Sequence, residues 1–239
     1  MSETIVQKFG GTSLGSVERI DAVAEIIKKA SKKNKIAVVV SAMSGETNRL
    51  IDLANSFGNN PDKREFDALV STGETISSAL LSMALHSKGI KARSFSASQI
   101  AIRTTSSYSK AKILDVDAKK ILDVLENDTI PIITGFQGIT EGGDITTLGR
   151  GGSDATAVAI AAQINANRCD IYTDVDGIFT TDPNIVSNAK KLDSITMEEM
   201  LELAGQGAKV VQTRAVESVS YTHLRAHETK ANLVCRLLL

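Results

Sequence analysis

The sequence has little net charge and few cysteines. Lys and Arg together number 27 against 28 Asp and Glu, a net charge of −1, which argues against a nucleic-acid footprint across the chain. Two cysteines, Cys169 and Cys235, cannot form a disulfide framework, so we expect a reducing compartment. No uninterrupted apolar run approaches the roughly 20 residues of a membrane span, and the N-terminus MSETIVQKFGG lacks the layout of a signal peptide. We therefore expect a cytoplasmic globular protein with neither nucleic acid nor membrane as a partner.

The C-terminal segment 218–239 differs from the rest of the chain. It reads SVSYTHLRAHETKANLVCRLLL, begins within a helical pattern and ends in three leucines without turn residues. The string resembles a translated sequencing-library adapter, so we expect native sequence to end near Glu217 and the tail to be non-native and disordered. His223 and His227 have the i, i+4 spacing of metal ligands on a helix, but they fall in this tail, so no metal site is predicted.

Short β-branched runs alternate with longer helical patterns in residues 1–217. Strands are predicted at Thr4–Phe9, Ile36–Ser41, Ala92–Ser96, Ile130–Thr134 and Asp170–Thr173. Helices are predicted at Val17–Ala30, Glu46–Ser56, Glu65–Ser87, Ala111–Glu126 and about Asp154–Asn165, with a further helix opened by a capping box at Thr196 and Glu199. The fold class is therefore α/β, with a mostly parallel central sheet and helices on both faces. Alternation around Gly142 and Gly143 predicts a β-hairpin that projects from the sheet.

A lysine and two glycines, Lys8, Gly10 and Gly11, stand between the first strand and the first helix. Paired glycines let the backbone approach an anion, and the following helix offers unpaired N–H groups. The lysine precedes the glycines, so this is not the P-loop of GxxxxGK[ST] type. A plain strand–turn–helix connection with a surface lysine explains the same pattern.

A second glycine-rich turn, TLGRGGSD, spans Thr147–Asp154 and leads into an Ala-rich helix. Arg150 suits bidentate recognition of a carboxylate or phosphate. Ser153 also fits a helix cap and Asp154 a partner of the helix dipole, and both interpretations can hold at once. Two such turns in one sheet favour a site shared by two anionic ligands.

Three other polar segments are less specific. The loop Thr173–Pro183 hints at a calcium loop, but its glycine comes too early and no Glu stands at the twelfth position. That loop can hold a nucleotide or be an ordinary solvated turn. The turns Ser71–Glu74 and Ser41–Asn48 are, taken alone, typical of helix capping.

Taken together, KFGGTS, VSAMSGETNRL, STGE, TLGRGGSD and YTDVDGIFTTDP resemble, in their order, the catalytic domain of aspartate kinases within the amino-acid kinase family. The resemblance covers nearly all of residues 1–217. It implies a three-layer sandwich that uses ATP and Mg²⁺ to convert L-aspartate to 4-phospho-L-aspartate. The resemblance also implies that this reaction is the first step of threonine and methionine biosynthesis and of lysine biosynthesis, the last by way of diaminopimelate. It also implies a homo-oligomer at full length and regulatory domains that are absent here.

The resemblance assigns roles to individual residues. Lys8 contacts the transferring phosphate and Asp154 organises the charged centre, as the catalytic pair. Arg150 pairs with the α-carboxylate of aspartate and Glu74 faces its ammonium group. The implied substrate-binding residues are Ser41, Thr47, Glu74, Arg150 and Ser153. The implied nucleotide-binding residues are Lys8, Gly10, Gly11, Ser13, Thr173, Asp174, Phe179 and Lys209.

Two positions depart from the family pattern. Phe179 stands where some members have Tyr, and Asn184 where many have Arg, which leaves the nucleotide contacts there open. The native part retains one histidine, His86, which we expect to be structural.

The implied chemistry suits these residue types. A carboxylate is already ionised at pH 7, so it needs no general base. What the protein must supply is alignment of two anions and neutralisation of charge.

Two alternative functions stay open. A sibling kinase acting on acetylglutamate, glutamate, carbamate or uridylate shares the sheet and the lysine-glycine turn. In such a kinase, however, Glu74 and Arg150 should not have the same importance for substrate binding as they have for aspartate. A non-catalytic nucleotide-binding module is the other alternative, and the intact Lys8, Arg150 and Asp154 argue against it. Because the closing strand and regulatory domains of the family are missing, we expect a poorly stable chain without feedback regulation.

Overall fold

The computed structural model describes residues 2–58, 60–172, 186 and 188–190. The strands are β1 (Thr4–Phe9), β2 (Lys35–Val40), β3 (Ala92–Phe95), β4 (Ile102–Thr104), β5 (Ile113–Val116), β6 (Ile130–Thr134), β7 (Gln137–Ile139), β8 (Ile145–Thr147) and β9 (Arg168–Tyr172). The helices are a short 3₁₀ turn (Thr12–Leu14), α1 (Val17–Ser31), α2 (Glu46–Asn55), α3 (Lys63–Val70), α4 (Thr72–Ser87), α5 (Ala118–Glu126) and α6 (Gly152–Gln163).

Within the described residues, a parallel five-stranded sheet has the order β3-β6-β2-β1-β9. Its three inner strands, β6, β2 and β1, are buried almost throughout because helices cover both faces. Val6 packs in one core cluster with residues of α5 and α6, whereas the neighbouring Ile5 packs in the opposite cluster with residues of α1 and α4. The predicted α/β fold, with a mostly parallel sheet between two helical layers, is confirmed.

A second sheet, not predicted from the sequence, has the order β5-β4-β7-β8. The predicted hairpin is confirmed as the antiparallel pair β7 and β8, and Gly143 in its turn has φ of +87°.

The helix predicted at Ala111–Glu126 is wrong in its first half. Ile113 and Val116 show helical i, i+3 spacing, but they are the buried ends of β5, which pairs with β4. Asp117 then caps α5 by accepting a hydrogen bond from the Lys119 N–H.

The helix predicted at Glu65–Ser87 is divided into α3 and α4, with Ser71 between them. The whole stretch Lys63–Ser87 is long and apolar enough to cross a membrane, judged by length and composition alone. It has 25 residues, and its most apolar window has a mean hydropathy of 1.3, although polar residues interrupt the apolar ones throughout. Half of that window is buried in the fold, as in the core helix of a soluble protein. Two carboxylates within the stretch, Asp67 and Glu74, are buried. Asp67 accepts a hydrogen bond from the second sheet, and Glu74 accepts one from Ala42.

His86, expected to be structural, lies in the last turn of α4, and its Nε2 is 2.7 Å from the Ala92 carbonyl oxygen. The helix predicted after Thr196, the loop after β9 and the tail 218–239 lie outside the described residues.

Candidate active site

A cavity of about 700 Å³ lies at the carboxyl ends of β1 and β2, beside the second sheet. In open α/β sheets this edge is the usual place for ligands. The cavity brings together most of the predicted residues that the structure describes: Lys8, Gly10, Gly11, Ser41, Thr47, Glu74, Arg150, Ser153 and Asp154. Ser13 lies in the adjoining 3₁₀ turn and does not line it. Thr173, Asp174, Phe179 and Lys209 lie outside the described residues.

Lys8 and Asp154 form an ion pair inside this cavity. Lys8 is near the end of β1 and Asp154 is in the first turn of α6, and their Nζ and Oδ1 atoms are 2.6 Å apart. The two side chains are only 10% and 15% exposed. A strand end and a helix start far apart in the sequence therefore hold a fixed cation and anion where a ligand can enter.

The two glycine-rich turns offer backbone donors to the same space. The N–H groups of Gly11, Thr12, Ser153 and Asp154 donate to no acceptor in the part of the chain that the structure describes. Glycine is required at position 11 because the chain passes close to Ala42 there, and a Cβ would lie 2.9 Å from the Ala42 carbonyl oxygen. Unpaired N–H groups beside Lys8 make this end of the cavity suited to phosphate oxygens.

Glu74 lies in the cavity wall and is only 3% exposed. Its Oε1 accepts a hydrogen bond from the Ala42 N–H at 3.0 Å, while its Oε2 has no hydrogen-bond partner among the described residues. Burial raises the pKa of this carboxyl group to about 8, and the Ala42 hydrogen bond offsets the rise only partly. A buried acceptor without a partner is costly alone and fits a cationic ligand group.

Gly73 explains how α4 brings Glu74 close to Ala42. A Cβ on Gly73 would lie 2.8 Å from the Ala42 Cβ, so Gly73→Ala must push the helix away from that residue. We expect the substitution to destabilise the protein by about 1–3 kcal/mol, and hence to lower Tm by roughly 3–10 °C. Thermal unfolding checks this. Gly142→Ala is the control, because a Cβ there meets no atom closer than 3.7 Å and Tm should not move; equal Tm for both variants would contradict the packing argument.

Arg150 is exposed at the cavity mouth between Gly149 and Gly151, whose φ angles are +77° and +73°. These left-handed conformations turn the chain sharply on either side of the arginine. The guanidinium makes no ion pair with any described residue. The guanidinium is therefore available to a carboxylate ligand. Its positive charge is opposite in sign to the charge of the Glu74 carboxylate.

Sequence reasoning missed several residues of this region. Phe136, two residues after the fully buried strand β6, also lines the cavity. Its φ of +66° is uncommon for a bulky residue. Ser109 and Thr147 also line the cavity, and both donate hydrogen bonds to Asp67. The one feature of the sequence that could have indicated these residues is Asp67 itself, a carboxylate among the apolar residues of a helical pattern.

The sequence model of the amino acid kinase family matches residues 3–226, nearly the whole chain. The chain belongs to the amino acid kinase family. An aspartate kinase of Stutzerimonas stutzeri is 56% identical over 214 residues, which is 89% of this chain and 52% of that protein. The chain thus spans about half the length of the curated relatives it matches.

Solved structures of amino acid kinases share this fold. The crystal structure of aspartate kinase from Synechocystis has a TM-score of 0.77 at 48% identity, covering 90% of this chain and 36% of that one. E. coli aspartokinase III, crystallised with aspartate and ADP, has a TM-score of 0.82 at 30% identity, covering 91% and 60%. Among the residues described here, no three His, Cys, Asp or Glu side chains cluster as metal ligands.

Proposed function

We propose that this chain carries the catalytic domain, residues 1–217, of an aspartate kinase, which transfers the γ-phosphoryl group of ATP to the side-chain carboxylate of L-aspartate. The observation that carries the proposal is one cavity lined by an anion-binding end at Lys8 and by Glu74, a buried acceptor whose Oε2 has no partner in the part of the chain that the structure describes. The names of its relatives support the same activity. The proposal includes a cytoplasmic location, a homo-oligomer at full length and a role in lysine, threonine and methionine biosynthesis.

Aspartate offers three charged groups, and the cavity offers a partner for each. Arg150 pairs with the α-carboxylate through its guanidinium. Glu74, once ionised, accepts from the ammonium group through Oε2, the oxygen that no described residue contacts by a hydrogen bond. Ser41, Thr47 and Ser153 supply hydroxyl donors around the side-chain carboxylate. A substrate that lacks the ammonium group leaves Glu74 unpaired, and this favours aspartate over acetylglutamate.

The transfer itself needs positioning more than acid–base chemistry. An oxygen of the substrate carboxylate forms a bond to the γ-phosphorus while the bond from that phosphorus to the ADP oxygen breaks, and ADP leaves with that electron pair. Lys8 and the glycine-turn N–H groups stabilise the charge on the transferring group. Asp154 holds the Lys8 ammonium in place. Among the described residues at this end of the cavity, Asp154 is the carboxylate that would hold Mg²⁺ bound with ATP, and the ion would neutralise charge on the phosphates.

A substrate panel tests the proposal. We expect the chain to form ADP from ATP in the presence of L-aspartate, with k_cat/K_M at least about 100-fold lower for glutamate, N-acetylglutamate and uridylate, because each lacks one of the matched groups or its spacing. A coupled assay of ADP formation measures this. Turnover of N-acetylglutamate but not aspartate would favour a sibling kinase. ATP binding without transfer to any of the four would favour a non-catalytic module.

A further inference from the structure

Asp67, in α3, is a fully buried carboxylate to which the chemistry proposed above gives no role. Its Oδ2 accepts from the backbone N–H groups of Ser109 and Thr147 at 2.8 and 2.7 Å. Its Oδ1 accepts from the hydroxyl groups of the same two residues at 3.0 and 2.9 Å. All four bonds reach residues at least 42 positions away in the sequence, and both partners line the cavity.

The first partner, Ser109, lies in the turn between β4 and β5 with φ of +64°. A serine holds this left-handed conformation only where its surroundings fix it. Both donors of Ser109 point to Asp67, so the carboxylate fixes the turn against α3.

The second partner, Thr147, ends β8 and is followed within three residues by Arg150. The Thr147 N–H and hydroxyl donate to Asp67, and its carbonyl accepts from the Ala111 N–H at 3.0 Å. On the other side of Arg150, α6 is packed in the core cluster. The short loop that carries Arg150 therefore begins on Asp67 and ends on a buried helix.

The helix run that carries Asp67 also carries Glu74. Between them, the Ser71 carbonyl accepts a hydrogen bond from Gln137 Nε2 at 2.9 Å, which ties the junction of α3 and α4 to the second sheet. Asp67 thus joins the element that holds the buried acceptor to the loop that holds the exposed guanidinium.

We propose that Asp67 is a positioning residue that sets the separation of Glu74 and Arg150, and with it the fit of an amino acid that has both an ammonium and a carboxylate group. This inference rests on the proposed function, because it concerns the substrate of that same site. Asp67 acts through Thr147 and Ser109 and does not itself touch the ligand. A displaced Arg150 loop weakens aspartate binding but leaves Lys8, the turn at Gly10 and Gly11, and Asp154 in α6 in place.

The test is Asp67→Asn, which keeps the shape of the side chain but turns an amide N–H₂ toward donors that need an acceptor. We expect K_M for aspartate to rise at least about tenfold, with k_cat and K_M for ATP within about threefold of wild type. Thr147→Val, which removes one hydroxyl donor and keeps the backbone bond, is the milder variant and should raise K_M for aspartate about threefold. Thr104→Val is the matched control, since it removes a buried hydroxyl from the same sheet, 2.6 Å from the Thr146 hydroxyl, and should leave all three constants unchanged.

Amide hydrogen exchange supplies a readout without turnover. In Asp67→Asn the amides of Ser109, Thr147 and the loop through Gly152 should exchange faster, while those of β1 and β2 should not. Equal falls in k_cat for all three variants, or a K_M for aspartate that is unchanged in Asp67→Asn and Thr147→Val, would overturn the inference. If wild type forms no ADP from ATP and aspartate, the proposed function fails, and unchanged exchange in the Thr147–Gly152 loop would then overturn the positioning role as well.

Discussion

Lys8→Met is expected to reduce k_cat for phosphoryl transfer about 10³-fold, in line with the loss of a charged donor from a preorganised site. The Lys8 ammonium is 2.6 Å from Asp154 and only 10% exposed, so water cannot easily replace it. Its removal also leaves the Asp154 carboxylate without its partner beside the incoming phosphates, which adds repulsion to the lost attraction. Steady-state and single-turnover kinetics at saturating ATP and aspartate measure the loss.

Lys88→Met is the matched control for this prediction. Lys88 Nζ is 2.7 Å from Asp21 and 3.1 Å from Glu25, and its side chain is 14% exposed, but it lies away from the cavity. The control therefore removes an ion-paired lysine whose side chain is shielded to a similar degree, and kcat should stay within about twofold of wild type. A Lys8→Met variant that folds and retains more than a tenth of the wild-type k_cat would remove Lys8 from the catalytic role.

Glu74→Gln is expected to act in opposite directions on stability and on aspartate binding. In the folded protein burial raises the pKa of Glu74 to about 8, above the value of about 4.3 in an unfolded chain. The folded state therefore binds the Glu74 proton more tightly, and this group lowers stability progressively as pH rises from about 4.5 to 8. Gln removes that penalty while its Oε1 still accepts from the Ala42 N–H. We expect stabilisation on the order of 3 kcal/mol at pH 8, and much less at pH 5, from thermal or urea unfolding.

The same substitution should weaken aspartate binding. Losing a charge-assisted partner for the ammonium group costs about 1.5–3 kcal/mol, so K_M for aspartate should rise roughly 10- to 100-fold at pH 8. In wild type Glu74 must ionise to pair with the ammonium group, so K_M should fall as pH rises from 6 to 8 and then level off. In Glu74→Gln this fall should be absent.

Glu65→Gln is the control for both effects. Glu65 lies in the neighbouring helix α3 with its side chain 67% exposed, and neither its stability profile nor K_M for aspartate should differ from wild type. A Glu74→Gln variant that keeps the wild-type dependence of K_M on pH would place the ammonium partner elsewhere. A variant less stable than wild type at pH 8 would contradict the assigned pKa.

Three strands of the central sheet, β1, β2 and β6, could be predicted from the sequence because each is rich in β-branched residues and stays buried on both faces. β1 and β2 are found within one residue of their predicted limits. Of the second sheet, only the hairpin β7–β8 could be predicted; β4 and β5 could not, because they are only three and four residues long and partly exposed. Ile113 and Val116 fit a helix as well as a strand, and only the pairing of β5 with β4 decides between them.

The charged residues of the site could be predicted because they stand in glycine-rich turns, where local conformation and chemistry coincide. Lys8, Arg150 and Asp154 are of this kind, and the structure places all three on one cavity. Asp67 lies inside a helix, and its role depends on two partners contributed by other elements, which no local pattern records. The raised pKa of Glu74 likewise follows from burial, which the tetrapeptide STGE does not reveal.

Phosphorus NMR of the wild-type chain with ATP, Mg²⁺ and L-aspartate is the decisive test of whether this cavity transfers a phosphoryl group from ATP to the side chain of aspartate. We expect an acyl-phosphate signal that grows in step with ADP, requires aspartate, and disappears on addition of hydroxylamine as the aspartyl hydroxamate forms. ATP hydrolysis at the same rate with and without aspartate, with no acyl phosphate at any time, would contradict the account.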